Sequence, residues 1–141
     1  MDAAAYQINP VLMGGTATVT GTGLIKINLF GRLGVLYVPE TLIENSSDVE
    51  TGTVLEFYFS YIQLVDRELD YDYAPLKAQG EELPCLVGGT LTEVNDTAAK
   101  LDIGDGLGTV AVPRRWLFTN QELAEGQHAE FYMSRMHIQK N

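Results

Sequence analysis

Two strings in this sequence place the same polar residues at alternate positions, Glu56-x-Tyr58-x-Ser60 and Glu130-x-Tyr132-x-Ser134. Alternate side chains of a strand share a face, so each string presents a carboxylate, a phenol and a hydroxyl together. Such a set suits a ligand or a protein partner, and it occurs twice. The competing reading pairs Glu56 with Lys26 and Glu130 with Lys100 across neighbouring strands and packs the tyrosines at a barrel rim. The basic and aromatic concentration is Arg114-Arg115-Trp116, with Arg135 and Lys140 further along. Two arginines suit an anion or an acidic partner, and an aromatic beside them suits a stacked base. Trp116 is read as simply as a core or interface residue.

Nucleophilic and metal chemistry have few candidates. His128 and His137 are the two histidines, and Cys85 is the one cysteine. Nine apart on one expected strand, the histidines face opposite sides and do not chelate one metal, and Cys85 fits no zinc spacing. A pair of Cys85 with a histidine in a cleft between domains is the enzymatic alternative. Asp66, Glu68, Asp70 and Asp72 alternate along one segment, as the oxygen ligands of a hard cation could. That segment has no glycine for a calcium-loop turn, so a solvated connector is the simpler reading. Asp102-x-Gly104-Asp105-Gly106 has the composition of a tight turn. None of these motifs names a cofactor.

The elements that must position these residues repeat. Residues 10–65 align with residues 84–139 at a constant offset of 74, without a gap, with 16 identities in 56 positions. The identities include Pro10/Pro84, Gly14/Gly88, Gly15/Gly89, Gly34/Gly108, Pro39/Pro113 and the Glu-Phe-Tyr string. One register held across glycines, prolines and an aromatic string is the mark of a tandem duplication. The chain is therefore read as repeat 1 over residues 1–65, an acidic connector over 66–80 and repeat 2 over 81–141.

Each repeat reads as all-β. Thr16–Thr20 alternates threonine with apolar residues, the pattern of a half-buried strand. Leu24–Phe30 and Ala98–Ile103 make a second strand, and Gly34–Val38 and Gly108–Val112 a third, stopped by proline. One helical turn is expected after each proline, over Glu40–Ile43 and Arg114–Phe118. The longest strand is Val54–Val65, matched by His128–Gln139, with Leu55, Phe57, Phe59 and Tyr61 toward the core. So few short strands hide their edges best by closing, which predicts two tandem small β-barrels of OB/TOBE-like type. Each core is small, so the pair is expected to pack together or to self-associate.

Composition narrows the partners. The 141 residues are 45% apolar, enough to bury a core. Nine Lys and Arg against nineteen Asp and Glu give a net charge of −10, spread as −4, −2 and −4 over residues 1–65, 66–80 and 81–141. That balance works against nucleic acid and against an anionic membrane surface. The sequence has no apolar run long enough for a membrane span, its start has no signal-peptide pattern, and a lone cysteine fits a reducing compartment. The expected location is cytoplasmic.

The layout, with GGTLTEV, AAKLDIGDG, TVAVP and LAEGQHAEFYMS in the second repeat, resembles the tandem Mop/TOBE molybdate-binding modules. Where that family holds its oxyanion this chain has Ile8-Asn9-Pro10 and Phe59-Ser60-Tyr61, so no ligand residues carry over. Lys26–Arg32 followed by Val38-Pro39 is similar to AbrB-type DNA-binding half-barrels, and the Leu-x-x-Gly ending resembles PilZ domains. Three unrelated families on one chain mark a fold habit, and a fold does not by itself fix a function. The expected function is a non-enzymatic binding or assembly module that meets a protein partner or its own copies. The alternatives are a small-ligand or oxyanion-binding protein using the groove between the barrels with Arg114 and Arg115, and a small enzyme with a cleft using Cys85, His128 and His137.

Overall fold

The computed structural model describes residues 8–66, 70–80, 83–119 and 121–139. They are nearly all β, with eleven strands and one short α-helix among the described residues. The first half holds β1 (Val11–Val19), β2 (Leu24–Leu29), β3 (Val35–Pro39), β4 (Val54–Phe59) and β5 (Ile62–Val65). The helix α1 (Ala74–Lys77) lies in the connector. The second half holds β6 (Cys85–Val94), β7 (Ala98–Ile103), β8 (Thr109–Pro113), β9 (Leu117–Phe118), β10 (His128–Met133) and β11 (His137–Ile138). A 3₁₀ turn follows each strand-ending proline, Glu40–Leu42 after Pro39 and Arg114–Trp116 after Pro113. Each proline is the extended last residue of its strand and has no N–H to carry the ladder on, so the chain leaves the sheet there and turns. Among the described residues no helix is long and apolar enough to cross a membrane.

Pairings recur at matching registers. β1 lies between β2 and β4, with Gly15 opposite Leu29 and Gly14 opposite Glu56. β6 lies between β7 and β10, with Gly89 opposite Ile103 and Gly88 opposite Glu130. All eleven strands nevertheless belong to one hydrogen-bonded sheet. β3 pairs antiparallel with β8 about Leu36 and Val110, and β4 also meets β10 at Phe59 and Met133.

The long strand expected over Val54–Val65 divides into β4 and β5, and the one over His128–Gln139 into β10 and β11. After the break each chain crosses to the other half. β5 pairs with β10, and β11 pairs with β4. Tyr61, expected toward the core, instead sits at this break and is 37% exposed.

Glycine is required where the halves join. Gly34 and Gly108 have φ of 119° and 103°, a region that side chains disfavour. A β-carbon on Gly34 would overlap the carbonyl oxygen of Ala111, and one on Gly108 that of Tyr37. The buried apolar residues of both halves form one cluster that includes Leu36, Phe57, Phe59, Val110 and Phe131. Burial of each phenylalanine contributes roughly 2–3 kcal/mol.

Candidate functional site

The two Glu-Tyr-Ser strings do not act as single faces. Glu56 and Tyr58 point outward from β4, whereas Ser60 is buried; Ser134 is buried likewise. The serines form a reciprocal joint. Ser60 Oγ accepts the backbone N–H of Tyr132 and Ser134 Oγ that of Tyr58, both at 2.8 Å. Each hydroxyl then donates to the carbonyl of its following residue, Tyr61 or Arg135. A hydroxyl that both accepts and donates replaces ladder bonds where β4 and β10 cross, so neither buried backbone group is orphaned. Ser60 and Ser134 thus hold the fold together and lie away from solvent.

Nor does either glutamate meet its expected lysine. β1 separates Glu56 from Lys26, and β6 separates Glu130 from Lys100. Glu130 is buried, accepting Gln63 Nε2 at 2.8 Å on one oxygen and Tyr71 Oη at 2.9 Å on the other. Glu56 is nearer solvent, with His137 Nε2 at 3.5 Å and Gln139 Nε2 at 3.3 Å.

Arg114-Arg115-Trp116 is split by its 3₁₀ turn. Arg114 Nη1 donates to the carbonyl of Asn95 at 2.8 Å, Arg115 is exposed, and Trp116 is buried with Nε1 donating to the carbonyl of Ser60 at 2.9 Å. The indole packs on Tyr61 at 4.0 Å between ring centroids, and Tyr61 stacks on Phe118 at 4.5 Å. Arg135 is elsewhere, on the corresponding turn of the first half, and Lys140 lies outside the described residues.

Arg135, expected beside the Arg114-Arg115-Trp116 concentration, is instead a buried polar centre of its own. Its guanidinium binds Glu44 Oε2 through Nε at 2.9 Å and Nη2 at 2.6 Å, and Nη1 donates to the carbonyls of Thr41 and Leu76. The Gly80 backbone N–H and then Arg135 hold the Glu44 carboxyl below its ordinary range. A signal existed in the repeat alignment. Arg135 and Glu44 align with Tyr61 and Phe118, so a contacting pair is charged at one end of the molecule and aromatic at the other. Beside Arg135 opens a cleft of about 580 Å³, lined among others by Glu40, Glu44, Ser46, Lys77 and Gln79.

Cys85, His128 and His137 do not converge in the strand ladder. Cys85 pairs with Met133 and His128 with Thr90, at opposite ends of the β6–β10 ladder, about 16 Å apart along the strand. His137 stands on β11 beside Glu56, so the histidines occupy different strands and not two faces of one. Burial, then the nearby Asp72 charge, pushes the Cys85 thiol up to about 11. It is protonated at neutral pH and is a poor nucleophile. Asp66, Asp70 and Asp72 are exposed, and Glu68 lies outside the described residues. Asp72 Oδ1 accepts the N–H of Ala74 at 3.0 Å and opens the helix α1. Among the described residues no three His, Cys, Asp or Glu side chains are grouped to hold a metal ion.

The connector does cover one outward face. The ring of Tyr71 occupies the space a β-carbon on Gly88 would take, and the Tyr73 hydroxyl lies just outside Gly104 and accepts the Gly88 N–H at 3.3 Å. On the matching face of the first half Leu12 and Tyr58 are register partners, and Phe30 stands at the position of Gly104. A β-carbon on Gly14 would lie 3.2 Å from the Phe30 ring. Leu12, Phe30 and Tyr58 are 52%, 51% and 36% exposed.

No family model matches this sequence, and no curated protein matches it. Among solved structures the chain is similar to a crystal structure of the cytoplasmic molybdate-binding protein ModG with molybdate bound. The TM-score is 0.30 and the identity 16%, over 96% of each chain.

Proposed function

We propose that this protein is a non-enzymatic binding or assembly module of two duplicated small β-barrels that exchange their last strands, with the outward face of β1 and β4 as its docking surface. Repeated register, the reciprocal serine joint and the crossing of β5 and β11 support the duplicated-barrel reading. The observation that carries the function is the unequal covering of two matched faces. The chain lays Tyr71 and Tyr73 over one, while the other keeps Leu12, Phe30 and Tyr58 in contact with water. A contiguous apolar stripe on an outward sheet face marks an interaction surface. The protonated Cys85 and the separated histidines favour binding over nucleophilic catalysis.

The test is native mass spectrometry of wild type beside the double variant Leu12→Asp/Phe30→Asp, purified identically. Added polypeptide mass on wild type, a second copy or a bound chain, that is absent from the variant supports the reading. Identical polypeptide masses count against it. Added mass of small-molecule size that both proteins lose on denaturation returns the small-ligand alternative.

A further inference from the structure

The second half shows what kind of group this sheet face accepts. We propose that the open face of β1 and β4 receives an extended, tyrosine-bearing segment of a partner protein, its ring against Phe30 and Leu12 and its hydroxyl donating to Glu56. The proposal rests on reading that face as the docking surface, and it deepens that reading by naming the partner's chemistry.

The precedent is internal to the chain. On β6 and β10 a glutamate stands opposite a glycine, Glu130 and Gly88, and the connector delivers Tyr71 so that its ring lies over the glycine and its hydroxyl reaches the carboxylate at 2.9 Å. On β4 and β1 the same opposition recurs as Glu56 and Gly14. Glu56 is already steadied by His137, as Glu130 is steadied by Gln63, and these two partners align in the repeat. The Glu130 oxygen that faces Tyr71 corresponds to one on Glu56 whose contact with Gln139 is long, at 3.3 Å.

Phe30 is the difference that makes the surface attractive to an incoming ring. Its counterpart Gly104 leaves space for Tyr73, whereas Phe30 lays its own ring beside Gly14 and stays half exposed, so an incoming ring would meet Phe30 and not the glycine. An aromatic floor beside a carboxylate matches a phenol in both respects, apolar ring to apolar ring and hydroxyl to acceptor. Leu12 and Tyr58 face each other across β1 and β4 two residues along from the Gly14–Glu56 pair, so the surface continues along the strands, which suits an extended chain. The protein's net charge of −10 disfavours a strongly acidic segment at low salt. At about 0.15 M salt charges beyond roughly 8 Å are screened.

The probe is a fluorescent peptide with the sequence of residues 70–77, Asp-Tyr-Asp-Tyr-Ala-Pro-Leu-Lys, titrated onto the full chain at that salt and read by anisotropy. We expect saturable binding that weakens at least about tenfold in Leu12→Asp/Phe30→Asp, compared at a temperature where circular dichroism shows both proteins folded. Replacing both peptide tyrosines with phenylalanine should weaken binding to wild type about fivefold and leave binding to Glu56→Ala unaffected, since the acceptor is gone. Absence of binding overturns the inference, as does binding that ignores the double variant or a tyrosine effect that survives in Glu56→Ala. If the peptide fails to bind while wild type forms dimers that the double variant does not, the tyrosine-segment inference falls and the docking face stands.

Discussion

The outward faces of β1–β4 and β6–β10 carry nearly the same residues and are finished differently. Leu12, Gly14, Glu56 and Tyr58 on one match Leu86, Gly88, Glu130 and Tyr132 on the other. The second face is roofed by Tyr71 and Tyr73 and its glutamate is buried, whereas the first ends in a half-exposed Phe30. The same contrast holds at the strand crossings, where Arg135 with Glu44 on one side corresponds to Tyr61 with Phe118 on the other. Where backbone geometry forces a residue the halves agree, as at Gly34 and Gly108; where only a covering group is needed they diverge. A sheet constrains its ladder far more tightly than what lies on top of it.

The largest expected effect tests the agreement. Gly34→Ala and Gly108→Ala each combine a disfavoured φ with overlap onto a carbonyl, and each should cost about 4 kcal/mol or abolish soluble expression. Urea denaturation of both variants checks this, and a strong effect from only one would break the equivalence of the seam.

Next comes the contrast between the crossings. Arg135→Met leaves the Thr41 and Leu76 carbonyls without that donor and the Glu44 carboxylate with the Gly80 N–H but no guanidinium, for a loss of about 3 kcal/mol. Tyr61→Ala removes a partly exposed ring from a stack and should cost about 2 kcal/mol. Reversed order would show that the aromatic end carries more of the stability than the charged one.

The roof is sharpened by smaller changes. Tyr71→Phe deletes one hydrogen bond to a buried carboxylate and should cost about 1–2 kcal/mol, whereas Glu56→Gln on the open face should stay within about 0.5 kcal/mol. Equal losses would mean that the first face is as structurally committed as the second.

The smallest effect is in acid. Glu44 has a depressed native pKa, so its contribution is fully present above the ordinary value of 4.5 and is lost as pH falls through the native value. Melting temperatures below pH 4.5 should therefore fall more steeply for wild type than for Glu44→Gln. Parallel curves would remove the Arg135–Glu44 pair from the pH response.

Much of the ladder was readable beforehand for local reasons. Alternation over Thr16–Thr20 fell on the end of β1, the expected second and third strands match β2, β7, β3 and β8, and Pro39 and Pro113 marked the turns that follow. The break at Ser60 was hidden because apolar alternation runs on into Tyr61, whereas past Ser134 the alternating position falls on Arg135; serine is no strand breaker by itself. The Glu-Tyr-Ser string was legible as a repeated feature, but its glutamate and tyrosine belong to a surface and its serine to a buried joint. Tyr71, by contrast, sat in a segment whose acidic residues drew attention to cations.

What the sequence determined by itself was the all-β class and the internal correspondence between residues 10–65 and 84–139, because side-chain alternation, proline and glycine act within a few residues of themselves. Tertiary structure alone decided which strand completes which ladder, that Arg135 meets a glutamate 91 residues away, and that among the described residues the connector covers one of two matched faces. Those outcomes depend on where the connector and the crossing strands come to lie, and alternation is blind to a strand's partner: it records that one face must be buried and leaves open against what.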